Sequence, residues 1–335
     1  MTATLERPQS VLVYVGLDRV GDGLLKLPFV RGLRDAWPGA RITWVAGRET
    51  SVYAGLLAPV VEGLLDEVIE NAGIGLRPGE ILRRPLGGRR FDLVIDSQRV
   101  FWASLVLRRI PHKAFISPAA GFFLSSRQPE KGYRRPKSMQ RQLLDLLELA
   151  SGRVFPTPRT LDIPLGGAVE REAAELLPDG PVYVGLAPGS GGPPKCWPLG
   201  NFIKVAKAQA AKGRTPVFFL GPKETGWLEE IKSAVPKARF PEQEAGIGDA
   251  RPFNPMLPIA LAGRLAASVA NDSGIGHMLA LGGQPLVSLF GRTAPEKFMP
   301  MSPALSIIKA QDFGGREMAA IPVAAVAEAL EKALA

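Results

Sequence analysis

The chain has 335 residues and carries 41 Lys and Arg against 32 Asp and Glu, a formal net charge of +9. That length is long for one domain and comfortable for two, and 46% hydrophobic residues can fill two cores. A single cysteine excludes an internal disulfide framework, no apolar run reaches the roughly 18 residues of a spanning helix, and Met1–Ser10 lacks an apolar signal core, so a cytoplasmic protein is expected.

In chain order, Val11–Gly16 predicts a strand, Arg19–Gly23 a turn, and Leu24–Asp35 a helix. Asp22, flanked by Gly21 and Gly23, falls at the carboxyl edge of a parallel strand, where open α/β sheets bind ligands. It also fits an N-cap. The turn is not a G-x-G-x-x-G fingerprint, so nicotinamide or flavin binding is not indicated. Strands follow at Ala40–Ala46, Asp66–Ile69, Phe91–Asp96 and Lys113–Ile116, with helices at Ser51–Leu57, Glu80–Leu86 and Trp102–Arg109 between them. This alternation predicts a parallel sheet covered on both faces. His112, after Pro111, reads as structural or solvated.

A basic stretch comes next. Arg127, Lys131, Arg134, Arg135, Lys137 and Arg141 have only Glu130 among them, and they precede the predicted helix Ser138–Leu149. The net charge allows a nucleic-acid partner, but no helix-turn-helix, zinc or RNA-binding signature accompanies it. One Cys and two distant His cannot make a zinc site. An anionic lipid or phosphorylated glycolipid suits the stretch, with Arg134, Arg135 and Lys137 at its centre.

Phe155–Gly167 is rich in Pro, Gly and Thr and reads as a linker, and the pattern restarts at Pro181. Strands Val182–Leu186, Val217–Leu220, Ser268–Asn271, Leu286–Leu289 and Leu305–Lys309 then alternate with helices Asn201–Lys212, Thr225–Ala234, Pro255–Ala266 and Ile275–Leu281, and Pro322–Leu334 closes the chain. The first strand leads into Pro188-Gly189-Ser190-Gly191-Gly192-Pro193-Pro194-Lys195-Cys196-Trp197-Pro198. Its glycines let backbone approach a ligand, and Lys195 offers a point charge to phosphate. The third leads into Asp272-Ser273-Gly274-Ile275-Gly276-His277. A sharp turn opening a helix aims amides and a positive dipole end at one spot, which suits a diphosphate. Asp272 and His277 can hold hydroxyls there, and Glu224, after Val217–Leu220, is placed to contact a ribose.

Taken in order, these segments resemble glycosyltransferase family 9, the bacterial lipopolysaccharide heptosyltransferases. The resemblance rests on Gly21-Asp22-Gly23-Leu24-Leu25-Lys26-Leu27-Pro28, the Pro188–Pro198 loop with its Lys-x-Trp-Pro, Asp272-Ser273-Gly274-x-x-His277, Gly283-Gln284-Pro285 and Phe290–Pro295. It covers most of the chain. Leu25 and Lys26 depart from it, standing where small polar residues or His are common. It implies a GT-B fold: two doubly wound Rossmann-like domains facing each other across a cleft, residues 1–160 binding acceptor and 161–335 binding a nucleotide sugar.

The same resemblance implies an inverting transfer with Asp22 as base, ADP-heptose as donor substrate, the lipopolysaccharide inner core as acceptor, and no other cofactor. The chain lacks an Asp-x-Asp motif, so no metal is expected; Lys195, Ser190 and the Ser273–Gly274 amides would meet the leaving diphosphate. Peripheral contact with the cytoplasmic face of the inner membrane fits the basic stretch. Three alternatives stand beside this: another nucleotide sugar and acceptor, a sugar-nucleotide epimerase, or a silent binding subunit. The last would follow if Lys26, one turn past Asp22, paired with it and weakened it as a base.

Overall fold

Apolar runs too short to be helices become ten strands among the described residues, in two parallel sheets. The computed structural model describes residues 7–75, 77–82, 84–246 and 252–335. The chain divides into two units, Met1–Thr157 and Pro158–Ala335.

In the N-terminal unit the strands are β1 (Ser10–Val15), β2 (Arg41–Ala46), β3 (Glu67–Ile69), β4 (Phe91–Asp96) and β5 (His112–Ile116). They lie in the order β3-β2-β1-β4-β5. Val11 pairs with Ile42 on one side and Leu93 on the other. The helices are α1 (Val20–Ala36), α2 (Ala58–Val61), α3 (Phe101–Leu107) and α4 (Met139–Ser151). β1 has five buried residues in a row, the mark of a strand covered on both faces. Because the chain leaves β1 toward β2 and later returns on the other side to β4, the carboxyl ends of β1 and β4 form a topological switch point.

The C-terminal unit repeats the design. α5 (Gly167–Leu176) precedes β6 (Tyr183–Ala187), α6 (Leu199–Ala211), β7 (Thr215–Phe218), α7 (Leu228–Ala234), α8 (Pro241–Glu244), α9 (Met256–Ala262), β8 (Ala267–Asn271), α10 (Gly274–Leu281), β9 (Leu286–Phe290), β10 (Leu305–Lys309) and α11 (Val323–Leu334). The sheet order is β10-β9-β8-β6-β7, so its switch point lies between β6 and β8. Side chains of β6 alternate between two cores. Val184 and Leu186 join Phe202, Phe218 and Leu289 on one face; Tyr183 and Ala187 join Leu261, Ala270 and Leu279 on the other.

Several expected helices differ. Ser51–Leu57 is a run of turns, with the helical residues displaced to Ala58–Val61 behind Pro59 at its second position. Glu80–Leu86 is replaced by 3-10 turns at Pro78–Leu82 and Pro85–Gly88, and inside the second Leu86 and Gly87 take left-handed φ of 53° and 62°; Arg83 lies outside the described residues. Helix α9 ends at Ala262, four residues early, where Gly263 caps it. Helix α5 begins at the last residue of the expected linker and runs through a stretch to which no element was assigned; it is Glu-rich and buries only Ala173. His112 starts β5 and is not in a loop; its Nδ1 lies 2.6 Å from the Ile110 carbonyl.

Candidate functional site

Asp22 is the third residue of α1, half-buried in its first turn. The cap position is Arg19, in extended conformation and without a side-chain cap bond. The N-cap reading of Asp22 is therefore replaced: the carboxylate sits inside the positive end of the helix, where the dipole favours negative charge. The first turn is held tightly. A Cβ on Gly23 would come within 2.7 Å of Val52 Cγ2 and 2.8 Å of Leu57 Cδ1, and the Tyr53 hydroxyl donates to the Gly23 carbonyl at 2.7 Å.

Lys26 has a carboxylate partner other than the one the silent-subunit alternative considered. Its ammonium forms a buried ion pair with Asp18 and donates to the Leu17 carbonyl at 3.2 Å. The other Asp18 oxygen accepts from Trp44 Nε1 at 2.6 Å and Ser51 Oγ at 3.0 Å. This network ties α1 to the loop after β1, to β2 and to the segment after β2. Asp18 went unmarked in the sequence because it lies in the loop before α1, eight residues from its partner and beyond the i+3 and i+4 pairs that a helix encodes. Asp96, at the end of β4, was likewise unmarked. It accepts from Ser104 Oγ at 2.5 Å, Ser117 Oγ at 2.8 Å and the Gln98 amide at 2.8 Å. Burial pushes its pKa up to about 6 despite those bonds.

The basic stretch is not one surface. Arg127 donates to the Leu149 and Ala150 carbonyls at the end of α4. Arg141 pairs with Asp145 and Glu148, each at 2.7 Å. These two are structural. Arg134, Arg135 and Lys137 are exposed, and Arg135 lines a cavity of about 650 Å³ with Arg99, Phe122 and Tyr133.

In the C-terminal unit the loops after β6 and β8 meet at the switch point. Asn271, fully buried at the end of β8, accepts from the Trp197 amide at 3.1 Å and donates to the Pro188 carbonyl at 2.7 Å. It thereby holds both ends of the Pro188–Pro198 loop. Trp197 is buried and anchors the loop by donating from Nε1 to the Ile321 carbonyl. Ser190 Oγ turns inward to the Gly192 carbonyl at 3.0 Å. Lys195, half in solvent, reaches across to Asp272 at 2.8 Å. Ser273 caps α10, accepting from the Gly276 amide at 3.3 Å and donating to the Asn271 carbonyl. The amides of Gly274 and Ile275, in the first turn of α10, have no recorded acceptor among the described residues.

His277 is buried one turn into α10. Burial lowers its pKa to about 4, with the Asp272 charge opposing and Lys195 assisting. The imidazole is therefore neutral near pH 7, one ring nitrogen donating and the other accepting. Glu224 lies beside the same loop: a Cβ on Gly189 would come within 2.6 Å of its Cδ. Burial is the main cause raising its pKa. Behind it Glu242 is buried, its pKa pushed up to about 8 by burial and then by the Glu224 charge. Glu242 had no motif to mark it. Among the described residues no group of three His, Cys, Asp or Glu could hold a metal ion.

Residues 81–318 match the model of glycosyltransferase family 9 (heptosyltransferase). The chain is 26% identical over 301 residues to lipopolysaccharide heptosyltransferase 1 of Pseudomonas aeruginosa, covering 85% of this chain and 79% of that protein. It is 32% identical over 141 residues to lipooligosaccharide heptosyltransferase 2 of Haemophilus influenzae, a match spanning 42% of this chain and 39% of the length of that relative. The solved structure of the Escherichia coli ADP-heptose lps heptosyltransferase II superposes with a TM-score of 0.66, at 22% identity over 97% of this chain and 98% of that one. The fold is thus the two-domain GT-B architecture, each domain a doubly wound parallel sheet.

Proposed function

Because the chain belongs to glycosyltransferase family 9, we propose that it transfers a heptose from ADP-heptose to the core of a lipopolysaccharide or a related surface glycan, with inversion. The observation that carries this reading is the set of groups at the β6–β8 switch point: Lys195 on Asp272, a neutral His277, and the Gly274 and Ile275 amides of α10 with no acceptor among the described residues. A nucleoside diphosphate supplies the acceptors that those amides lack. Lys195 has two further N–H donors after serving Asp272. As the glycosidic bond to phosphate breaks, negative charge accumulates on the diphosphate, and these preorganised donors meet it. Names of related proteins support the choice of donor: one solved neighbour was determined with ADP and another with ADP-2-deoxy-2-fluoro heptose, at 16% and 18% identity.

Asp22 takes the proton from the attacking acceptor hydroxyl, from a place in the first turn of α1 where the helix dipole favours negative charge. Ser190 shapes the loop, Asp272 holds Lys195, and Glu224 reads the ribose. Arg134, Arg135 and Lys137 meet the anionic acceptor. Lys195 and the helix end carry the leaving-group charge, so turnover is expected to survive EDTA. A thermal-shift series against ADP, UDP, GDP and CDP, followed by transfer from ADP-heptose, tests the proposal. Selective stabilisation by ADP is the expected result, since a bound ligand stabilises with the logarithm of its concentration over its dissociation constant. Equal or absent shifts for all four nucleotides would refute it.

A further inference from the structure

β4 ends at Asp96, and two residues later Gln98 stands at the switch point of the N-terminal sheet, where β1 and β4 part. Ser97 still follows the sheet, its amide donating to the Tyr14 carbonyl at 3.1 Å. Gln98 comes next, and its amide donates to Asp96 at 2.8 Å. The other Asp96 oxygen is held in turn by Ser104 on α3 and by Ser117 after β5. The Gln98 side chain lies over Gly16, the first residue after β1. A Cβ on Gly16 would stand 3.0 Å from its Oε1 and 3.2 Å from its Cδ, inside the roughly 3.5–4.0 Å of comfortable contact. Gly16 has no left-handed φ, so the glycine gives this carboxamide room and does not serve a turn. Nε2 donates one hydrogen to Ser97 Oγ at 3.1 Å. Its second hydrogen and Oε1 have no recorded partner among the described residues, and the residue is half-buried.

Asp22 belongs to the same edge of the sheet. Gly16 and Asp22 bound the connection from β1 into the first turn of α1. The buried Asp18 pins that connection midway through Lys26, Trp44 and Ser51. Two buried carboxylates, Asp18 and Asp96, thus fix the backbone of α1 and of Gln98 at the exit of β1. A solvated surface glutamine needs no such support. The carboxamide also suits a sugar. It offers donors and an acceptor on one planar group, and each of two vicinal saccharide hydroxyls can both donate and accept. It does not titrate, so it cannot compete with a base for the proton.

We infer that Gln98 binds the acceptor sugar at the hydroxyl next to the attacking one, Oε1 accepting from that hydroxyl and the open Nε2 hydrogen donating to a neighbouring oxygen, and so aims the attacking hydroxyl at Asp22. The inference rests on the reading of Asp22 as base. In the transfer the attacking oxygen bonds to the anomeric carbon, the bond from that carbon to the diphosphate breaks with its electron pair leaving on the diphosphate, and the proton passes to Asp22; Gln98 gains and loses none. Gln98→Met keeps the length and removes both polar atoms. With lipopolysaccharide lacking heptose as the acceptor probe, kcat/KM for the acceptor is expected to fall roughly tenfold to a hundredfold, chiefly through KM. ADP affinity by calorimetry and the melting midpoint should stay near those of the unaltered chain, which separates lost binding from lost folding. Gln98→Glu keeps the shape and sets a second carboxylate near Asp22, and a like charge favours the protonated form. The acid limb of kcat/KM should therefore move to higher pH, a shift that a merely structural role for Gln98 does not produce. Gly16→Ala leaves Gln98 in the sequence but crowds its carboxamide, and it should lower acceptor kcat/KM in the same direction. Near-normal acceptor kcat/KM in Gln98→Met beside a slow Asp22→Asn overturns this inference alone, as does an acid limb that Gln98→Glu leaves in place. Near-normal turnover in Asp22→Asn overturns the base reading, and this inference falls with it.

Discussion

A carboxylate in the first turn of a helix has two possible values, and Asp22 separates them by magnitude. Its interaction with the α1 dipole is worth about 0.3–1 kcal/mol of stability. General-base catalysis is worth on the order of 10²–10⁴-fold in rate. Asp22→Asn keeps shape and hydrogen bonding but cannot take a proton. We expect a folded protein that binds ADP normally and turns over at least about a hundredfold more slowly; near-normal turnover would reduce Asp22 to a helix-end charge. Lys195 is tested by binding instead. Lys195→Ala removes charge-assisted bonds of about 1.5–3 kcal/mol, so ADP affinity should fall between roughly tenfold and a hundredfold by calorimetry. Because Lys195 is half in solvent, the sheet should survive. Asp272 loses its cation, however, and a small drop in melting midpoint should accompany the weaker binding.

At the scale of elements, the Asp18–Lys26 pair decides how α1 meets the sheet. Lys26→Met leaves a buried carboxylate without its cation, to the Trp44 and Ser51 donors. Breaking one side of such a pair costs about 3–5 kcal/mol. Asp18→Asn combined with Lys26→Met should cost clearly less than the sum of the single changes, as coupled partners do. Urea unfolding of the four species measures this, and strict additivity would mean the pair contributes nothing as a pair. This pair also shows what could be read from the residues and what could not. The strands were legible because runs such as Val11–Val15 are apolar at every position, which only a sheet covered on both faces requires. The Lys195 and Asp272–His277 segments were legible because a Gly-rich loop with one cation, or a capped turn with Asp and His, has little use in a core. Lys26 suggested a pairing at helical spacing, yet its partner lies across a loop at a separation no periodicity encodes. Helix α5 escaped because it is Glu-rich, packs mainly through Ala173 with Val169 and Leu176 only partly buried, and follows a Pro- and Gly-rich approach. Ser51–Leu57 has helical apolar spacing, but its residues close on α1 as turns.

Across the whole molecule, buried titratable groups set a pH profile that no motif announced. Glu242 rises from 4.5 to about 8 in the folded chain, so the native state holds a proton that the unfolded state gives up; stability on this account is full below about pH 4.5 and is lost as pH climbs through 8. Asp96 acts in the same direction between its usual 3.8 and about 6. His277 works oppositely. It falls from 6.5 to about 4, so below pH 6.5 the unfolded state takes up the proton first, and stability declines as pH drops toward 4. Glu242 and His277 share the C-terminal unit and offset one another between those limits. The expected profile for that unit is a plateau across the mildly acidic range, followed by an alkaline decline of up to about 1.4 kcal/mol per pH unit from pH 6.5 to 8. Glu242→Gln removes the titrating proton while keeping the volume. It should flatten the alkaline limb and uncover the acid limb that His277 produces. Calorimetric scans of both proteins over a pH series read this directly. An alkaline slope unchanged in Glu242→Gln would show that Glu242 is already ionised in the folded chain, and that burial behind Glu224 does not hold its proton.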